Sequence, residues 1–223
     1  MKTILDLDKE QEKLTDKFYN IFQSNSELFQ KFANEVLSKD KYGDEELNEH
    51  GKILNISQNI NITREESHID LLVTDKNNVI VIENKIKSGI NGIKYDIHGE
   101  EIGSQLYGYY NYVNGLKQKS NDVWVQDSEL INKFGNKDKH FFIFAPDYNS
   151  IDTSKIQYVP KGTYITIPYS KIYAFYNKYQ KYYADKIPYY NEFLYAIGKH
   201  INNVDNSLEI EMHKKFAKVI ESK

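Results

Sequence analysis

Three side chains in one short stretch could do chemistry together: Asp70, Glu83 and Lys85. They lie in SHIDLLVTDKNNVIVIENKIKS, residues 67–88, which reads as two apolar runs around the polar turn Asp75-Lys76-Asn77-Asn78. β-Branched residues on either side of such a turn predict a hairpin. With that turn, Thr74 faces Val79, Leu72 faces Val81, and Asp70 faces Glu83. Side chains alternate faces along a strand, so Lys85, facing His68, lies on the same side as Glu83. Like charges directly across a ladder repel. Two ionised carboxylates placed this way need a cation, a shared proton or a neighbouring lysine. Carboxylate oxygens suit a hard divalent cation best, Mg²⁺, Mn²⁺ or Ca²⁺.

The plainer alternative is a hairpin end that emerges into solvent, with Glu83 and Lys85 as an exposed ion pair worth little. The neighbouring residues favour burial. Val79, Ile80, Val81, Ile82 and Ile86 make the second run apolar on both faces, the pattern of a central strand. An acid and a lysine inside such a strand need a reason to be there.

Asp70 followed by Glu83-Asn84-Lys85 on the next strand resembles the PD-(D/E)xK nuclease superfamily. The run Ile-Glu-Asn-Lys-Ile is similar to bacterial members of it. Gln105 and Tyr109, neighbours at i and i+4 on a predicted helix, resemble the Q-x-x-x-Y motif of RecB-like nucleases. The likeness extends over residues 26–180. One departure is Ile69, which stands where the family pattern often has a proline.

The resemblance implies a fold, a reaction and a set of roles. The fold is an α/β, restriction-endonuclease-like αβββαβ core: a central mixed sheet flanked by helices, here with a helical C-terminal addition. The reaction is Mg²⁺- or Mn²⁺-dependent hydrolysis of phosphodiester bonds, with nucleic acid, DNA first, as the partner. A homodimer would suit cutting of both strands. The implied metal ligands are Asp70, Glu83 and the backbone carbonyl of Asn84. Lys85 would orient or activate the water, and Gln105 and Tyr109 would assist. Glu35, on the first core helix, resembles an accessory acid of the family by position. Without the family, Glu35 reads as a solvated glutamate, Gln105 as a helix-surface residue and Tyr109 as a half-buried core residue. His68 could touch phosphate or serve as a hydrogen-bonded structural histidine.

The chemistry explains why a cation matters. Phosphodiester hydrolysis needs an activated water, neutralisation of developing charge and a stabilised leaving oxygen, and one or two divalent ions can meet all three needs. The competing reading is a non-catalytic module, binding nucleic acid or protein, that keeps the nuclease fold, since fold alone does not fix function.

The remaining chain must position these residues. Periodicity predicts a helix over 5–23, with Leu14, Phe18, Ile21 and Phe22 as its apolar stripe, and a second after Ser26. Residues 39–51 read as an acidic loop and 52–62 as a bulged strand. After the hairpin, the glycine-containing stretch 87–100 reads as a loop and 102–116 as a helix. Residues 117–138 read as an irregular insertion with room for a short helix, and they hold the only tryptophan, Trp124. Strands are expected at 140–145 and 163–167, then helices at 169–183, 188–201 and 206–221. Together these give one α/β domain: an N-terminal helix in 1–25, a core over 26–168 and a helical addition over 169–223.

Composition sets outer bounds. Of 223 residues, 40% are hydrophobic and 27% charged, which fits a soluble globular chain. No run is apolar enough for a membrane span, and the acidic N-terminus is not a signal peptide. The absence of cysteine excludes disulfides and thiolate metal sites and fits a cytoplasmic setting. The net charge of −3 argues against tight non-specific binding of nucleic acid. Arg64 is the only arginine, so bidentate readout of guanine is available at one position at most. Lys87, Lys94 and the aromatics of 107–112 could contact nucleic acid by charge and stacking.

Overall fold

The computed structural model describes residues 4–38, 54, 56–57, 59–86, 94–95, 101–120, 123–149 and 151–201. The expected loop over 39–51, most of that over 87–100 and the helix expected over 206–221 lie outside the described residues. No described helix is long and apolar enough to cross a membrane.

The chain opens with α1 (Ile4–Ser24) and α2 (Ser26–Phe32), the latter continuing into a π-helical turn, Ala33–Leu37. Asn25 separates the two helices and caps the second, its side chain accepting from Leu28 N–H at 2.8 Å. Three antiparallel strands follow: β1 (Asn61–Glu66), β2 (Ile69–Thr74) and β3 (Asn78–Asn84). A two-residue strand β4 (Lys94–Tyr95) pairs with β5 (Glu101–Gly103). Next come α3 (Gln105–Val113), a small hairpin of β6 (Leu116–Gln118) and β7 (Trp124–Gln126), and α4 (Ser128–Phe134). Strand β8 (Asp138–Ala145) then returns parallel to β3, and β9 (Tyr164–Pro168) parallel to β8. Helices α5 (Tyr169–Tyr183) and α6 (Tyr190–Gly198) follow.

The result is α/β: a five-stranded mixed sheet in the order β1-β2-β3-β8-β9 with helices on both faces. Strand β3 is the middle strand, and every residue in it is buried. One face carries Leu71, Val73, Ile80, Ile82, Phe142 and Phe144 against α1, α2, α5 and α6. The other carries Leu72, Val79, Val81, Phe141 and Ile143 against α3 and α4. The stripe of α1 is buried as its period requires, and Phe18 meets Phe22, Phe144, Tyr169 and Phe193 at ring-centroid distances of 5.2–6.2 Å. The N-terminal helix and the two C-terminal helices thus share one core.

The central hairpin has the expected register, with Thr74 on Val79 and Leu72 on Val81. Its turn is locked by Asp75. Oδ1 accepts N–H bonds from Asn77 (2.7 Å) and Asn78 (2.6 Å), and Oδ2 accepts from Ser57 N–H (2.7 Å). This is an Asx turn, in which a carboxylate replaces the backbone partner.

Two expectations need correction. Among the described residues of the strand expected over 52–62, only 61 and 62 pair, and β1 runs on to Glu66. Leu54 and Ile56 are buried without a ladder, so their alternation reports burial and not pairing. Strand β1 itself is the polar sequence NITREE, acceptable at a sheet edge and silent to hydrophobic periodicity. The insertion over 117–138 holds the short helix expected there, α4, but is otherwise more regular than expected, because Leu116–Gln118 and Trp124–Gln126 pair as the β6–β7 hairpin in strands too short to show alternation.

The turn yields a test. Burial pushes the Asp75 carboxyl up, but the N–H groups of Ser57, Asn77 and Asn78 outweigh it and hold the group below its usual range. A depressed carboxylate contributes stability above its unfolded pKa and loses it as pH falls through the folded value. Asp75→Ala is expected to cost about 1–3 kcal/mol near pH 7 in urea unfolding. The difference from wild type should shrink by pH 3, and an equal cost at both pH values would show that the carboxylate charge is not what holds the turn.

Candidate metal centre

Alternation along β3 decides what each residue of Glu83-Asn84-Lys85 does. Glu83 and Lys85 project toward α3, on the face of Val79 and Val81. Asn84 projects the other way, to α1 and α5. There its Nδ2 donates to Thr15 Oγ1 at 3.0 Å, and its Oδ1 accepts from the Tyr169 hydroxyl at 2.5 Å. Gln11 on α1 adds a further hold, its Oε1 accepting from Ile86 N–H at 3.2 Å. The strand end is therefore fixed from behind by α1 and α5 while its front carries the charges.

On that front, Glu83 and Lys85 are 1% and 3% exposed, which rules out a solvated ion pair. Lys85 Nζ lies 2.6 Å from Glu83 Oε1 and donates to Gln105 Oε1 at 3.5 Å. Glu83 Oε2 is buried with no hydrogen-bond partner. The β2–β3 pairing ends at Leu71–Ile82; Asp70 is the next residue of β2, and its Oδ2 accepts from Asn84 N–H at 2.7 Å. The Lys85 N–H closes the strand by donating to Phe144 O at 2.8 Å.

Helix α3 supplies the wall. Ser104 caps it, and its first residue, Gln105, bridges Lys85 to Tyr109: Oε1 takes Lys85 Nζ and Nε2 donates to the Tyr109 hydroxyl. That hydroxyl donates to the carbonyl of His68 and also lies close enough to the Glu83 carboxylate to act on it. Five of the residues expected at the site, Asp70, Glu83, Lys85, Gln105 and Tyr109, stand together. Asn84 contributes its N–H to Asp70.

Glu35 does not join them. It sits on the π-helical turn, where its carboxylate accepts from Lys178 Nζ at 2.8 Å and from the Tyr179 hydroxyl. Burial nudges its carboxyl up, but these two bonds hold it below the usual range, so it serves an ion pair with α5. His68 lies in the β1–β2 turn and not in the ladder, at φ +65° and exposed.

The electrostatics follow from two acids and one lysine in a dry place. Burial pushes Asp70 up to about 8, the nearby Glu83 charge pushes the same way, and the Asn84 N–H and Lys85 pull only partly back. Burial raises Glu83 too, against Lys85 and the Tyr109 hydroxyl. Burial and the two carboxylates raise the Tyr109 phenol, so it stays a hydroxyl. If both acids ionise, one unit of negative charge is left without a counter-charge. A proton on Asp70 or a second cation must balance it.

A divalent ion fits the donor set. The orphaned Glu83 Oε2 is a buried anionic oxygen that lacks the partner such groups nearly always have. Asp70 and Glu83 are hard oxygen donors of the kind Mg²⁺ and Mn²⁺ take, usually through one or two carboxylates. Among the described residues no three His, Cys, Asp or Glu side chains converge on one point, so the described part of the site offers two carboxylates.

Sequence reasoning missed Glu65. It lies across from Asp70 in the β1–β2 register, between the pairs Arg64–Leu71 and Glu66–Ile69, and its charge raises both Asp70 and Glu83. It has φ +59°, and Ser67 and His68 after it are also left-handed, so the edge strand is bent beside the carboxylates. The second hairpin turn at Ser67-His68 would have revealed this register, but Ser-His carries no turn signature. The Thr15 and Tyr169 supports come from distant segments and leave no local trace.

Comparison with known proteins adds no assignment: no protein-family model, curated protein or solved structure matches the chain.

The Asp70 charge gives a sign that can be measured without metal. A carboxyl raised in the folded state contributes stability that is present below its unfolded pKa and lost as pH rises through the folded value, here between about 4 and about 8. Asp70→Asn keeps an oxygen for the Asn84 N–H and removes the titration. In EDTA its Tm relative to wild type is expected to rise by roughly 5 °C or more between pH 4 and pH 9. A difference that is flat with pH would place Asp70 in a solvated setting.

Proposed function

We propose that the chain is a metal-dependent nuclease of the PD-(D/E)xK type that hydrolyses phosphodiester bonds in DNA. The observation that carries this reading is the orphaned, buried Glu83 Oε2 beside Asp70, with Lys85 and the Gln105–Tyr109 pair on the same face. The order of elements supports a restriction-endonuclease-like core. Helix α2, strands β1–β3, helix α3 and strand β8 come in the order αβββαβ once the small β4–β5 and β6–β7 hairpins and α4 are set aside as insertions, and β8 is parallel to β3.

Asp70, Glu83 and the carbonyl of Asn84 would hold Mg²⁺ or Mn²⁺, which when bound supplies Lewis-acid activation of the phosphate and acidification of the attacking water. The protein's own groups do the rest. Lys85 Nζ, pinned between Glu83 and Gln105, presents a fixed cation where negative charge develops on the phosphate. Gln105 sets the position of that ammonium, and Tyr109 sets Gln105 by anchoring to the His68 carbonyl. Glu35 is left out of this set because Lys178 and Tyr179 occupy it.

Two measurements on three proteins test the reading. Millimolar Mn²⁺ should raise the Tm of wild type and of Lys85→Ala, but not of Glu83→Gln, because binding stabilises only a chain that holds the ion. Wild type should cut DNA in Mn²⁺, and Lys85→Ala should lose about 100-fold or more of that rate. If Mn²⁺ shifts wild type and Glu83→Gln alike and no DNA is cut, the cluster is a buried ion pair in a non-catalytic binding module.

A further inference from the structure

A cleft of about 830 Å³ opens directly beside the metal centre. Its walls are α3, the β6–β7 hairpin and the start of α4, and Gln105 and Tyr109 line it as well as the centre. The cleft and the reacting groups therefore share a wall.

The lining is aromatic where it is solid. Trp124 on β7 meets Tyr107 on α3 at 5.8 Å and 68°, so the two rings form a corner. Tyr107 is held in place by Gly103, whose φ is +149° and where a Cβ would stand 2.6 Å from the Tyr107 ring. Gly108 also faces the cleft, and a Cβ there would meet only Trp124, at 3.8 Å. The absence of a side chain at Gly108 is thus not forced by crowding, and what it does is leave the cleft open. Among the described residues of the lining the charged ones are Lys117, Asp127 and Glu129, with more negative than positive charge. Asp127 also caps α4 through the N–H groups of Glu129 and Leu130. Such a lining repels phosphate and suits a flat, neutral, partly polar ring.

We infer that this cleft takes one unpaired nucleobase of the bound strand, stacked in the Tyr107–Trp124 corner, while the adjoining phosphate lies at Asp70, Glu83 and Lys85. This rests on the nuclease reading and narrows its substrate to single-stranded or locally unpaired nucleic acid. A base still inside a duplex stack cannot enter a side cleft and must first be extruded. The volume falls within the usual range of about 300–1,000 Å³ for small-ligand sites. Stacking on aromatic rings is indifferent to base identity, so little sequence preference is expected at this position.

The single tryptophan makes the test direct. Wild type is titrated in EDTA, where nothing is cut, with a 15-nucleotide oligothymidylate and with an abasic strand of equal length, following tryptophan fluorescence. The thymidylate should quench Trp124 and bind about tenfold more tightly than the abasic strand, in line with stacking of one base. Gly108→Leu puts a side chain into the cleft from a helix position where a Cβ fits in ordinary contact with Trp124. It should keep the wild-type Tm and lose the preference, and Tyr107→Ala should weaken it. Equal binding of both strands by wild type overturns the inference, as does a Gly108→Leu protein that keeps the preference. A parallel cleavage assay in Mn²⁺ separates the two claims. Cutting without base preference removes the cleft proposal and leaves the nuclease; base-selective quenching without cutting removes the nuclease and leaves the cleft.

Discussion

Glu83 and Lys85 at the end of the middle strand and Asp70 on the strand beside it bring two carboxylates and one ammonium together, with almost no water around Glu83 and Lys85. Removing charges from water is costly, and the attraction of Glu83 for Lys85 offsets that cost for one acid only. Asp70 is the remainder. Its charge must be carried by a proton, by the Asn84 N–H in part, or by a cation bound between the acids. A core that needed only stability would have placed apolar residues there, since well-packed hydrophobes are often as stable or more so. The imbalance is the feature around which the surrounding structure is arranged.

That arrangement has a front and a back. At the back, Thr15, Gln11 and Tyr169 fix the Asn84 side chain and the following peptide, so the strand end cannot drift. At the front, Tyr109 and Gln105 pass a chain of hydrogen bonds from the β1–β2 turn to Lys85. Precise placement of charged groups requires this sort of supporting layer, because a site left loose by a fraction of an ångström loses most of its effect. The helix that supplies the front wall also borders the cleft with the Tyr107–Trp124 corner, so one short element, α3, joins charge placement to ligand-sized space.

Much of this was written in the residues themselves. Asp75 and the two asparagines define a turn, the turn defines the register from Thr74–Val79 to Leu71–Ile82, and a side-chain period of two then puts Glu83 and Lys85 on one face without any long-range information. The doubly apolar run around Glu83 announces burial, and the i, i+4 spacing of Gln105 and Tyr109 puts them on one helix face. These features are local, and local rules read them. What the sequence could not decide involves segments that meet only after folding. Glu65 comes beside Asp70 through a turn of unusual backbone geometry. Glu35, placed by analogy with the site, is instead claimed by Lys178 from a helix more than a hundred residues later. The anchoring of Asn84 by α1 and α5, the orphaned oxygen of Glu83, and the cleft between α3 and the β6–β7 hairpin all depend on packing distances, which no periodicity encodes. The sequence by itself determined which residues face one another across the hairpin, because a strand's alternation is a property of the chain. Only the tertiary structure decided which charges are paired and which are left over, because that depends on what else is packed into the same dry space.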